Sequence, residues 1–162
     1  MEFFLPCVPP RATHHAKKIV NIRLRDGRSF AKLADKPELV SARETWISLL
    51  RPYMPPAPIA PPVSLTLELT WPWRSSDPKR LREKFDRIPC EVKPDCTNAA
   101  KTIEDLLVVL GFIPGDEKVA ELIVRKFIGN RPGLALRIAT IGPLWAAEAT
   151  KAPFILTGIT AS

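Results

Sequence analysis

The chain is poor in cysteine and histidine and has no long apolar run. Cys7, Cys90 and Cys96 are the whole cysteine complement of its 162 residues. Three thiols cannot close a disulfide framework, and no C-x-x-C pair or Cys/His cluster of zinc type surrounds them, so they read as small thiols in a reducing compartment. The two histidines, His14 and His15, are adjacent and lie among Arg11, Lys17 and Lys18. Neighbouring side chains do not easily share one ligand face, so this basic stretch suits phosphate contact better than a metal. No apolar stretch approaches the roughly 18 residues of a spanning helix. The N-terminus, MEFFLPCVPPRATHHAKK, puts its basic residues after a short apolar start, the reverse of a secretory signal. A soluble, intracellular protein without a membrane partner is the expectation.

Proline and positive charge are what the sequence has in excess. The 24 Lys and Arg residues outnumber the 17 Asp and Glu, giving +7 and a pI near 9.6. Such a surplus fits nucleic acid, an acidic membrane surface or plain solubility, and it says nothing about fold. At 46% hydrophobic residues the chain has enough apolar side chain for one core, so a single domain over residues 1–162 is expected. Six of the eleven residues from Pro52 to Pro62 are proline. That density forbids a helix or a central strand and makes a stiff connector within the domain.

Periodicity predicts an α+β fold, a mixed sheet packed against two main helices. Phe3 to Val8 suits a first strand, and Ile19 to Arg25 alternates as a half-buried strand before a turn at Asp26-Gly27. Pro37 to Leu50 carries Leu39, Val40, Trp46, Leu49 and Leu50 at helical spacing, with Pro37 suited to the first turn. Val63 to Trp71 shows nine residues of strict period two, the clearest strand in the chain. Arg74 to Lys93 holds seven basic residues against four acidic ones and reads as an exposed, flexible loop. Asn98 to Leu110 is a helix with Gly111 placed to stop it. Val119 to Phe127 and Leu134 to Ile141 are further strands, joined by turn formers. Beyond Gly142, Trp145 and Phe154 would cover an open sheet face or meet a second subunit.

The chemistry concentrates between Lys93 and Val119. Asn98, Lys101 and Asp105 project within about 60° of one another on the helix, opposite its apolar stripe. Asp95 precedes the helix, near the positive end of its macrodipole, and Asp116 and Glu117 follow the Gly115 turn. A chain folding back beside the helix start would bring Asp116 close to Asp95. Read from spacing alone, these are a cap, a solvated ion pair and a turn, or else carboxylates for a hard divalent cation with a lysine near a phosphate.

This ordered set resembles the RusA family of Holliday junction resolvases, small endonucleases of bacteriophages and prophages. The family signature is D-x-D-N, then a helix lysine, then an acidic turn about twenty residues on. Here Asp95, Asn98, Lys101, Asp105 and Asp116 occupy that pattern, with Pro72, the basic segment from Arg74 and Lys93-Pro94 ahead of it and the Glu121-containing strand after it. The resemblance covers roughly Val63 to Ile138.

It implies a magnesium-dependent, structure-selective endonuclease, with manganese as the alternative ion, that cuts four-way or other branched DNA in recombination and repair, in the cytoplasm of a bacterial or phage-infected cell. It implies Asp95, Lys101 and Asp116 as catalytic residues, Asp95 and Asp116 as metal ligands, and a homodimer. Thr97, Asn98, Asp105 and Glu117 are the expected supporting groups. Arg74, Lys79, Arg80, Arg82, Lys84 and Lys93 are the expected DNA contacts. Thr97 stands where the family has its second aspartate, and a hydroxyl is a weaker, neutral ligand. A branched-DNA binder of the same fold with weakened or lost cleavage is therefore the alternative.

Overall fold

Alternation from Val63 to Trp71 decides the centre of the molecule. Val63, Leu65, Leu67, Leu69 and Trp71 are all at most 1% exposed, while Ser64, Thr66 and Glu68 turn to the other side. The computed structural model describes residues 1–12 and 16–142. In chain order its elements are β1 (Glu2–Pro6), β2 (Lys17–Arg23), β3 (Ser29–Asp35), α1 (Pro37–Leu50), β4 (Val63–Pro72), α2 (Lys79–Lys84), β5 (Arg87–Pro89), α3 (Cys96–Val109), β6 (Val119–Gly129) and β7 (Gly133–Thr140).

Five strands form a mixed sheet in the order β1-β7-β4-β6-β5, and β2 and β3 form a separate two-stranded ribbon. In the main sheet β4 runs parallel to β6 and antiparallel to β7. The two 14-residue helices supply the other side of the core: Trp46 and Leu50 from α1 and Ile103, Leu106 and Leu107 from α3 join the β4 side chains, with Phe112 sealing the end. Full burial of a leucine contributes about 1.5–3 kcal/mol, so the α3 stripe alone is enough to hold that helix in one orientation.

The expected α+β fold and its two main helices are present, with differences that have physical causes. The segment Arg74 to Lys93 is not an open loop, since it contains the six-residue helix α2 and the short strand β5. Buried Asp77 organises it by accepting from the Arg74 backbone N–H at 2.7 Å and from its guanidinium, while the Arg82 guanidinium donates to the carbonyls of Arg74 and Asp77. Strand β3 had no counterpart in the sequence reading, because Phe30 and Leu33 are exposed and no buried face imposes a readable pattern. Strands β6 and β7 do not pair with each other; they flank β4, and the connection between them crosses its end, where the Trp73 indole donates to Asn130. Gly133 is required where β1 pairs with β7, because a Cβ there would lie 2.3 Å from the Phe4 ring and 2.6 Å from the Leu5 carbonyl. The proline-rich connector has no helix or strand from Met54 to Pro62; Ile59 N–H donates to the Phe112 carbonyl and Pro62 O accepts from Ile141, which ties it to both ends of the core. His14, His15, Trp145 and Phe154 lie outside the described residues.

Candidate active site

Helix α3 begins where Asp95 makes it begin. Asp95 is the N-cap, with extended backbone, and its Oδ1 accepts from the Asn98 backbone N–H at 2.8 Å. The Asn98 amide donates to Asp95 Oδ2 at 2.6 Å, so Asn98 orients the carboxylate with both its backbone and its side chain. The segment entering the cap is clamped from outside. Lys126 Nζ, from β6, donates to the carbonyls of Val92 at 2.8 Å and Pro94 at 2.6 Å, and Arg11 donates to the carbonyl of Lys93 between them. Three successive carbonyls before Asp95 are thus held by cations, and the Lys93-Pro94 bond is cis.

The far end of α3 returns the chain to the site. Gly111 takes φ +72°, its N–H donating to Val108 and that of Phe112 to Leu107, the paired bonds of a Schellman turn. Phe112 and Ile113 are buried by it, and the 3-10 turn Asp116–Lys118 follows. Asp116 Oδ2 then accepts from Lys101 Nζ at 2.9 Å. The same ammonium lies 3.0 Å from Asp105 and 3.5 Å from Glu104. Bonds to Asp116 and Asp105 hold the Lys101 ammonium above its ordinary pKa, and Lys101 in turn lowers the Asp116 carboxyl below its own. A lysine so held stays charged at neutral pH. It serves as an electrostatic or hydrogen-bonding group and not as a base.

The expected set therefore divides. Lys101, Asp105 and Asp116 meet directly; Asp95 and Asn98 meet each other at the head of the same helix. Thr97 is exposed in the first turn of α3, and Glu117 is exposed in the 3-10 turn beside Asp116. Among the described residues no three Asp, Glu, His or Cys side chains form a ready cage for a metal. Magnesium does not require one, because one or two carboxylates plus water and substrate phosphate suffice. The carboxylates present offer oxygen donors, the ligand type a hard cation takes, and Glu104, Asp105 and Asp116 already gather around one ammonium.

Of the expected DNA contacts, Arg74 and Arg82 are engaged in building their own segment, as described. Lys79 lies 3.9 Å from Glu83, Lys84 lies 5.3 Å from the centre of the Phe85 ring, and Arg80 has no ion pair among the described residues. Lys93 is exposed directly before the cap. Sequence reasoning missed Lys126, Arg11 and Glu104. None of the three stood out in the sequence, since Lys126 follows Arg125 in a strand that also carries Glu121.

The family described as endodeoxyribonuclease RusA matches residues 10–139. The chain belongs to the RusA family. No curated protein matches it at a significant level. The match runs from before β2 to the end of β7 and takes in Asp95, Asn98, Lys101, Asp105 and Asp116, whereas β1 precedes it. RusA membership makes Holliday junction resolving endonuclease the family activity, and no helix among the described residues is long and apolar enough to cross a membrane.

Proposed function

We propose that this RusA-family chain is a divalent-cation-dependent endonuclease that resolves four-way DNA junctions, with magnesium as the working ion and manganese as a substitute. The observation that carries the reading is the convergence on Lys101. One ammonium from α3 is shared by Asp105 of the same helix and Asp116 of the returning turn, on a helix capped by Asp95.

In this reading Asp95 and Asp116 hold the cation, Asn98 fixes the Asp95 carboxylate, and Asp105 and Glu117 support the cluster. When bound, the cation supplies Lewis-acid stabilisation of the phosphoryl oxygens and acidifies a water. Lys101, always charged, donates to a non-bridging oxygen as negative charge grows in the transition state. Lys126 and Arg11 keep the Asp95 entry rigid, so the carboxylate would meet the cation already oriented. The exposed cations Lys79, Arg80, Lys84 and Lys93 contact phosphates, with Arg74 and Arg82 shaping the segment that presents the first three. A homodimer suits a substrate of approximate two-fold symmetry that needs two cuts.

The test is a labelled synthetic four-way junction incubated with purified protein and magnesium. Paired nicks that vanish with a chelator and in Asp116→Asn support the reading. Binding without any nick under magnesium or manganese overturns it in favour of a second reading, a junction binder. The exposed neutral Thr97 in the first turn of α3 is the observation that favours that alternative.

A further inference from the structure

The β2–β3 ribbon has no place in the chemistry above. Among the described residues its strands pair only with each other, through seven residues on each. A lone two-stranded hairpin is marginal in water. This one also exposes apolar surface: Ile19 and Leu33, opposite each other in the register, are 73% and 60% exposed. Its tip is well defined, a three-residue turn with Gly27 at φ +87° and Arg28 bonded to Asp26 through its backbone and guanidinium.

Charge indicates what meets it. Between Lys17 and Asp35 there are six basic residues and two acidic ones. Lys17 and Arg28 are paired with Asp35 and Asp26. Lys18, Arg23, Arg25 and Lys32 have no ion pair among the described residues, which leaves four uncompensated cations along one narrow ribbon. Its base stands beside the site. Asp35 also pairs with Arg43 of α1, and Lys17 and Asp35 line a small cleft with Thr102 and Asp105 of α3, the same Asp105 that bonds Lys101.

We propose that the β2–β3 ribbon is an arm that grips a duplex branch of the DNA as it leaves the active site. Lys18 and Lys32, on the face opposite the Ile19–Leu33 pair, and Arg23 and Arg25 at the tip contact backbone phosphates. A two-stranded ribbon matches a major groove about 12 Å wide, and phosphate neutralisation supplies the affinity. The proposal rests on the endonuclease reading.

The experiment measures binding of the full-length protein to a fluorescent four-way junction without divalent cation, across 50–200 mM salt. It compares wild type, the four-site variant Lys18→Gln/Arg23→Gln/Arg25→Gln/Lys32→Gln, and the tip variant Arg23→Gln/Arg25→Gln. At about 0.9 per phosphate contact, the slope of log K against log salt becomes shallower by about 3.6 in the first and about 1.8 in the second, and affinity at low salt falls at least about tenfold in the four-site variant. The tip variant changes only the last residue of β2 and the turn beyond it, and it keeps the test decisive if the other fails to fold. Wild-type slope and affinity in a folded tip variant, with wild type still cutting junctions, overturn the arm and leave the endonuclease reading standing. Wild type that neither binds nor cuts DNA overturns both. An Ile19→Ser/Leu33→Ser variant that turns a dimer into a monomer without changing DNA affinity also overturns the arm, because the ribbon would then be covered by a second copy of the chain.

Discussion

Replacing Asp95 separates its structural role from its proposed chemical one. The carboxylate caps α3 through Oδ1 and takes the Asn98 amide on Oδ2. Asparagine is as good an N-cap as aspartate, so in Asp95→Asn the side-chain oxygen still accepts from the Asn98 N–H. The second bond is restored if Asn98 turns its amide to present its oxygen. What remains lost is the charge at the positive helix end, about 0.3–1 kcal/mol. Asp95→Ala loses the cap as well, about 1 kcal/mol more. For a domain of this size 1 kcal/mol moves Tm by about 2–4 °C, so alanine should melt about 3–8 °C below wild type and asparagine no more than about 4 °C below it. Cleavage should behave differently. Both variants remove a negative oxygen from the proposed cation site, and changes even to groups behind metal ligands cost about 10–100-fold, so single-turnover cutting should fall at least about a hundredfold in each. Thermal melts and single-turnover rates on a labelled junction give the two readouts. If Asp95→Asn cuts within about threefold of wild type, the assignment of Asp95 to the chemistry is wrong.

The other predictions concern the groups around Asp95. In Lys101→Met the Asp116 carboxyl should rise toward the ordinary aspartate value, read by NMR titration of its side-chain carbon. In wild type its folded pKa is depressed, so the pair's contribution to stability is full at neutral pH, where Lys101 is also charged, and is lost as pH falls through the folded Asp116 value. The difference in stability between wild type and Lys101→Met should accordingly shrink in acid, and a constant difference would show that the pair does not control it. Lys126→Met removes a charged donor from two carbonyls; stability should drop by about 2 kcal/mol in denaturant melts, and kcat should fall more than KM changes, since the entry to Asp95 loosens. Thr97→Asp should tighten magnesium binding, followed by calorimetry, and raise the cutting rate; no change in either would place that side chain outside the cation's reach.

How much was readable depended on whether a residue's role is imposed by its neighbours in sequence. The β4 alternation and the α3 stripe were legible because burial acts at fixed periods, two and 3.6. The Lys101–Asp105 pair was legible for the same reason, being one turn apart on a helix. Its third partner, Asp116, depended on a return of the chain, and Gly111 announced that turn only as a stop. Lys126 was illegible as a clamp because its partners are carbonyls 32 and 34 residues away in sequence, and carbonyls carry no residue identity. The segment from Arg74 misled for the opposite reason. Its charges suggested solvent, yet buried Asp77 spends its acceptors on local donors, turning part of the basic surplus into architecture.

That division of cations has a consequence for how the proposed enzyme meets DNA. Around Lys101 the charge is acidic, Glu104, Asp105 and Asp116 against a single ammonium, whereas Asp95 at the head of the helix has Lys126 and Arg11 close behind it. A phosphate brought there alone would be repelled. In the proposed site a divalent cation would offset the two excess negative charges around Lys101 and let that ammonium turn from Asp116 to the phosphate. The uncompensated cations lie elsewhere, on the ribbon and on the segment before Asp95, where no metal is needed. Affinity for the junction should therefore depend on salt and little on magnesium, whereas entry of the scissile phosphate should depend on magnesium and little on the ribbon charges once DNA is saturating. A junction affinity that rose steeply with magnesium at constant ionic strength would mean that the acidic ridge, and not the basic surfaces, limits binding.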